Sequence, residues 1–137
     1  MTSKTHDIEI YPNFFCVTIR DWDTKEQVVY QISETVNDFD KIIAFYTTYK
    51  GVLFSFNGIH YDNPVIGYMI LENCDDPYEI WRFSNNLITS DNPIPTKYKY
   101  WSRWIDIDFI LFWSKGLRLT KKISLKALGI QLGYKTL

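Results

Sequence analysis

Two carboxylates two residues apart are the first chemically suggestive feature of the chain: Asp7 and Glu9 in His6-Asp7-Ile8-Glu9-Ile10-Tyr11. The alternation reads as a strand, on which residues two apart project from the same face. One face of a strand near the start of a globular chain is expected to be packed. Two acids on such a face repel each other and carry a desolvation penalty unless a cation lies between them. A divalent metal is the simplest chemistry that this spacing serves. A third acid, Asp62, ends the segment Asn57-Gly58-Ile59-His60-Tyr61-Asp62, between an apolar run and a predicted helix. That position is the carboxyl end of a strand, where open α/β sheets bind ligands. An isolated Asp there is most simply an N-cap; the pair Asp7 and Glu9 shifts the balance toward a shared cation.

The elements that must position these acids follow from hydrophobic periodicity. Residues 6–11 form the first predicted strand, Pro12-Asn13 interrupts it, and 14–20 resume with aromatic and β-branched residues. After the polar turn 21–25, residues 27–32 complete a three-stranded antiparallel meander. The period then changes: Val36-Asn37-Asp38 starts a helix with Phe39, Ile42, Ile43 and Tyr46 on one face, and Gly51 is expected to end it as its C′ residue. Val52-Leu53-Phe54-Ser55-Phe56 reads as a parallel strand covered on both faces. A helix follows from about Asp62, with Pro64 in its first turn and Val65, Tyr68 and Met69 on one face. Asp75-Asp76-Pro77 caps a short helix over 78–83, with a further turn near Leu87-Ile88. Residues 91–95 are a loop, 105–110 a strand, and 121–129 a short basic helix. The order β-β-β-α-β-α-(α)-β-α predicts an α/β fold with a mixed sheet, three antiparallel strands followed by parallel ones with helical crossovers.

At 137 residues the chain makes one domain, spanning 1–137. Aromatic residues reach 18%, enough to fill a core and line a groove as well. Two distant cysteines, Cys16 and Cys74, fit free thiols in a reducing compartment. No apolar h-region follows the polar N-terminus and no apolar run is long enough to span a bilayer, so a soluble, cytoplasmic protein with no membrane partner is expected. Charge is sorted along the chain. Residues 1–96 hold 6 Lys/Arg against 14 Asp/Glu (6 − 14 = −8), and residues 97–137 hold 9 against 2 (9 − 2 = +7). An acidic, metal-holding half facing a basic, phosphate-facing half is the functional reading; an idle charge-sorted surface is the plain one.

The strand-borne Asp7-x-Glu9 and the Asn57-x-x-x-Tyr61-Asp62 junction resemble the first two motifs of the DEDD-type 3′–5′ exonuclease superfamily, which has a ribonuclease H-like fold. The stretches DIEIYPNFF, VLFSFNGIHYDNPVI and WIDIDFILF…ISLKALGIQLGY, in that order, look most like the proofreading exonuclease part of bacteriophage DNA polymerases. The resemblance implies two-metal hydrolysis of nucleotides from single-stranded DNA 3′ ends, with two Mg²⁺ or Mn²⁺ ions. Asp7 would bridge the ions, Glu9 would hold one and Asp62 the other. Asn57 would position the motif or the substrate strand, Tyr61 and Tyr11 would stack on terminal bases, and Lys121, Lys122 and Lys126 would face phosphate. Phe14 is a further stacking candidate, set against plain core packing.

The family also requires a fourth carboxylate, in a third motif after the SLKALG segment, and this chain has none there. Neither Asp106 nor Asp108 stands in that motif; His60 lies on the wrong side of Tyr61 for the family's general base, and His6 precedes a strand acid without a partner. The resemblance is therefore to a C-terminally incomplete exonuclease domain. Its fourth ligand would come from a further segment or a separate chain, and a polymerase domain is a natural partner. With three of four ligands, turnover by this chain alone is expected to be weak or absent. The alternative is a catalytically inactive nucleic-acid-binding or protein-interaction module retaining the fold. A phage-encoded protein would act in the host cytoplasm.

Overall fold

The computed structural model describes residues 2–99 and 101–109. The first strand, β1 (Ser3–Tyr11), runs antiparallel to β2 (Phe14–Asp21), which runs antiparallel to β3 (Gln27–Ile32). Helix α1 (Phe39–Thr48) crosses to β4 (Val52–Ser55), which lies parallel to β1 on its other side. Helices α2 (Asp62–Leu71), α3 (Pro77–Thr89) and the short α4 (Thr96–Lys99) lead to β5 (Ile105–Asp108), parallel to β4. Among the described residues the sheet order is β3-β2-β1-β4-β5, the mixed antiparallel-then-parallel arrangement anticipated from the pattern.

Register assigns the two faces. His6, Ile8 and Ile10 of β1 share a face with Phe15, Val17 and Ile19 of β2 and with Leu53 and Ser55 of β4. That face is the core, closed by Phe39, Ile42 and Tyr46 of α1, Val65, Ile66 and Met69 of α2 and Ile80 of α3. Asp7, Glu9 and Tyr11 point the other way, to an open face. The expectation that the acids stand on a packed face is thus corrected. His6 and Ile8 take the packed side, so Glu9 reaches solvent and needs no cation to exist there.

Several element expectations change too. Helix α1 ends at Thr48, and Gly51 is not its C′ residue. Gly51 is required instead because a Cβ there would meet the Thr2 carbonyl and the Tyr49 hydroxyl. Strand β4 is buried on one face only: Leu53 and Ser55 are buried, while Val52 and Phe54 are half-exposed on the open side. Helix α2 is enclosed nearly all round from Asp62 to Gly67, rather than along one stripe. The expected helix over 78–83 and turn at 87–88 are one helix, α3, capped as expected by Asp76, whose side chain accepts from Tyr78 N at 3.0 Å. After the expected loop 91–95, α4 is an additional turn of helix. The predicted basic helix over 121–129, and Ile110 of the predicted last strand, lie outside the described residues. Cys16 and Cys74 are free. Among the described residues no helix is long and apolar enough to cross a membrane.

Candidate functional site

The site forms where strands of unequal length leave a gap. Strand β1 pairs with β4 only through Ser3, Lys4 and Thr5, then runs on to Tyr11. Beyond Thr5 its edge on the β4 side has no strand partner among the described residues, and its backbone groups must be satisfied otherwise. The chain leaving β4 turns through 56–61 and enters α2 beside this bare edge. Asp62 is the first helical residue, with Tyr61 as the N-cap, so the plain N-cap reading of Asp62 does not hold.

Asp62 is 3% exposed. Its carboxyl and that of Asp7 both draw on one backbone amide, Ile8 N–H, which favours the charged form of each. Residues distant in sequence thereby converge at the carboxyl ends of the parallel strands, where this sheet architecture places ligands. Burial first, then the nearby Asp7 and Asp108, push the Asp62 carboxyl up to about 8. Burial also raises Asp7 above its ordinary value. At neutral pH Asp62 therefore holds a proton, and Asp7 is the more exposed of the two.

Asp106 and Asp108 organise the turn. Asp108, buried, accepts from the backbone N–H of Asn57 at 2.7 Å and of Ile59 at 3.2 Å. These bonds hold Asn57 at φ 65°, a conformation that Asn tolerates better than most side chains. Gly58 follows because a Cβ there would collide with the Ser55 side chain. Asp106 accepts from Asn63 Nδ2 at 2.8 Å and Trp104 Nε1 at 2.6 Å, tying α2 to the segment before β5. Among the described residues the Asn57 Oδ1, Ser55 Oγ, Asn63 Oδ1 and His6 Nε2 atoms around this turn are buried and find no hydrogen-bonding partner, which calls for an explanation in function, solvent or strain. His6 Nδ1 pairs with Tyr46 Oη at 2.7 Å inside the core, and burial holds its imidazole down at about 4.

The sequence-derived candidates divide accordingly. Asp7 and Asp62 come together. Glu9 projects from the same face as Asp7, and its charge reaches Tyr61 and Cys16. Asn57 sits at the strained turn. Tyr61 is half-buried against the core, and burial raises its hydroxyl above its ordinary value. Tyr11 is 56% exposed, at the end of β1. Lys121, Lys122 and Lys126 lie outside the described residues. The role of Asp108 was not anticipated. Its signal in the sequence was the Ile-Asp-Ile-Asp alternation, which marks two acids on one strand face just as Asp7 and Glu9 do.

Oxygen donors of this kind suit a hard divalent cation. Among the described residues, however, no three His, Cys, Asp or Glu side chains gather closely enough to hold a metal. The remaining positions contain none of these residue types. The Asp7–Asp62 pair therefore fits part of one cation site, and a two-ion site is not assembled from these residues. No family model, no curated protein and no solved structure matches this chain.

Proposed function

We propose that the chain is a nuclease of the 3′–5′ exonuclease type, on a ribonuclease H-like fold, acting on the 3′ ends of single-stranded DNA. The observation that carries this reading is the convergence of Asp7 and Asp62 on the Ile8 amide, in the two positions whose motifs the sequence resemblance selects. The mixed sheet, with the pair at the carboxyl ends of its parallel strands, supports the same reading. Asp7 offers the more exposed carboxyl of the two. Asp62, held neutral by burial, releases its proton when positive charge enters the pair. Asp108 keeps the 57–59 turn, and through it the start of α2, in register with β1. Mg²⁺ or Mn²⁺, when bound, would supply water activation and charge stabilisation. The remaining ligands would come from a partner, such as an attached or separate polymerase chain, in the cytoplasm of a host cell if the protein is phage-encoded.

A second reading is favoured by a specific feature: among the described residues no three acids gather closely enough to hold a metal. On that reading the module binds nucleic acid without cutting it. Incubating the protein with a single strand labelled at its 5′ end and Mn²⁺, beside Asp7→Ala, separates the two. Stepwise shortening by the wild type that disappears in Asp7→Ala is the expected result. Binding without shortening would replace the nuclease with the binding module, and shortening that survives in the mutant would mean the pair is not the site.

A further inference from the structure

Strand β3 closes one side of the sheet, and among the described residues its outer edge faces no other strand. In an antiparallel ladder the backbone groups of successive residues alternate between the two sides of a strand. Two sets of bonds fix that alternation here. Asp21 N–H donates to the Glu26 carbonyl at 2.9 Å on the β2 side, so Val28, Tyr30 and Ile32 also turn their groups toward β2. Gln31 turns outward: its N–H donates to the Asp38 carboxylate at 3.0 Å, and its carbonyl accepts from Asp38 N–H at 2.8 Å. Asp38 thereby closes one end of the outer edge. The open part is two residues long, Gln27 and Val29, with one N–H and one carbonyl each pointing away from the sheet. Natural sheets blunt such edges with Lys, Pro or bulges. Gln27–Ile32 contains no charged residue and no Pro, and it pairs with β2 residue for residue. Val28 and Val29 are 43% and 52% exposed, one on each face of the sheet. Beside Val28 a hollow of about 260 Å³ opens, with Ile19, Tyr30 and Phe45 of α1 in its apolar wall.

We infer that the outer edge of β3 pairs with the same edge of a second copy of this chain, antiparallel, about a two-fold axis at Val28. Gln27 then faces Val29 of the second copy, and Val29 faces its Gln27. Each of these pairs exchanges both ladder bonds, so every open group on both edges is used. A slide of two residues one way would lay the incoming strand on Gln31, whose groups Asp38 already holds. A slide the other way would set Val29 against Lys25, which sits in the turn at φ 64°. The window is thus stopped at both ends and matched by its own reverse, which selects a second copy over a longer foreign strand. On the helix-side face Val28 meets Val28 of the second copy in the close, non-hydrogen-bonded position, beside both hollows, and Tyr30 comes opposite Glu26. The two sheets join into one of ten strands (5 + 5 = 10). Strand β1, with its acids, lies two strands in from the junction, so the inference stands apart from the nuclease reading.

So short a junction belongs to the weak class of interfaces, under about 1,200 Å². Sedimentation velocity of the full chain is therefore run over a concentration series reaching about 1 mM, beside amide hydrogen exchange read residue by residue. A concentration-dependent dimer is expected. The Gln27 and Val29 amides should gain protection as it forms, while those of Val28 and Tyr30, bonded to β2, are protected throughout. Val28→Lys sets like charges opposite each other at the axis and is expected to weaken association by about 10- to 30-fold. Val28→Glu should do the same, and an equimolar mixture of the two variants should recover association, because opposite charges then meet. Val29→Pro removes one outward N–H from each edge without touching a bond to β2, and is expected to weaken association by about 10- to 100-fold. If Val29→Pro fails to fold, the two Val28 variants decide alone. A chain that stays monomeric through the series overturns the inference and leaves the edge to another protein's strand or to none. The inference also falls if a dimer forms without protecting the Gln27 and Val29 amides, or if the Val28 mixture associates no better than either variant alone.

Discussion

Asp62 is the residue whose environment makes the sharpest demand on the rest of the molecule. Its carboxyl titrates at about 8 against an ordinary value of 3.8, with burial the main cause and the charges of Asp7 and Asp108 adding to it. A carboxyl whose folded pKa is raised binds more protons folded than unfolded, so its contribution is fully present below the ordinary value and is lost as pH rises toward 8. Asp62→Asn keeps the shape and removes the titration. Without divalent ions it should stabilise the protein at pH 8, by an amount on the order of 4 kcal/mol, and much less near pH 4. Thermal unfolding at the two pH values checks this; an equal gain at both would mean that the proton is not the cause. Mn²⁺ should narrow the wild-type deficit at pH 8 and leave the Asn variant nearly unmoved, because a cation favours the charged pair.

At the scale of elements, the turn between β4 and α2 depends on an acceptor supplied by a distant strand. Asp108→Ala would strip the Asn57 and Ile59 amides of their partner at a buried turn. A loss of about 2–5 kcal/mol is expected from urea unfolding, since each buried donor left unpaired costs about 1–3 kcal/mol. A loss below 1 kcal/mol would show the turn to be held by other contacts. This element also marks the boundary of what the sequence made legible. Meander, crossover helices and the junction at Asp62 were readable because periodicity and turn residues report on local structure. The open side of β4 was not, since an apolar run such as Val52–Phe56 looks the same whether its second face is packed or groove-lining. Strand β5 inverts the usual pattern. Asp106 and Asp108 share the core-side face with Leu53 and Ser55, while Ile105 and Ile107 share the open one. Partners such as Trp104, Asn63 and the amides of Asn57 and Ile59 make that inversion tolerable, and partners distant in sequence leave no periodic trace. For the same reason Asp7 with Asp62 was foreseeable as a pair, whereas the part played by Asp108 in raising Asp62 was not.

Over the whole molecule, two buried titratable groups pull stability in opposite directions, and their windows overlap. His6 is buried and neutral, with its imidazole lowered from 6.5 to about 4 and its Nδ1 bonded to Tyr46 Oη. Its unfolded form binds the extra proton, so its contribution is present above 6.5 and is lost as pH falls toward 4. Asp62 behaves conversely between about 4 and 8. Between pH 4 and 6.5 the two slopes, each about 1.4 kcal/mol per pH unit and opposite in sign, nearly cancel. Above 6.5 the His6 slope has ended while that of Asp62 continues, and its share of stability should decline by about 2 kcal/mol on the way to pH 8. In divalent-free buffer the molecule should therefore show a flat stability profile on the acid side and a fall on the alkaline side of neutrality. Urea unfolding midpoints taken at intervals across that range measure it. His6→Phe should expose the Asp62 slope down to about pH 4, and Asp62→Asn should leave only the His6 slope, rising to a plateau near 6.5. The two variants bend opposite limbs of one curve, so a profile that bends the same way in both would show that His6 and Asp62 do not titrate as the buried carboxyl pair and the buried imidazole require.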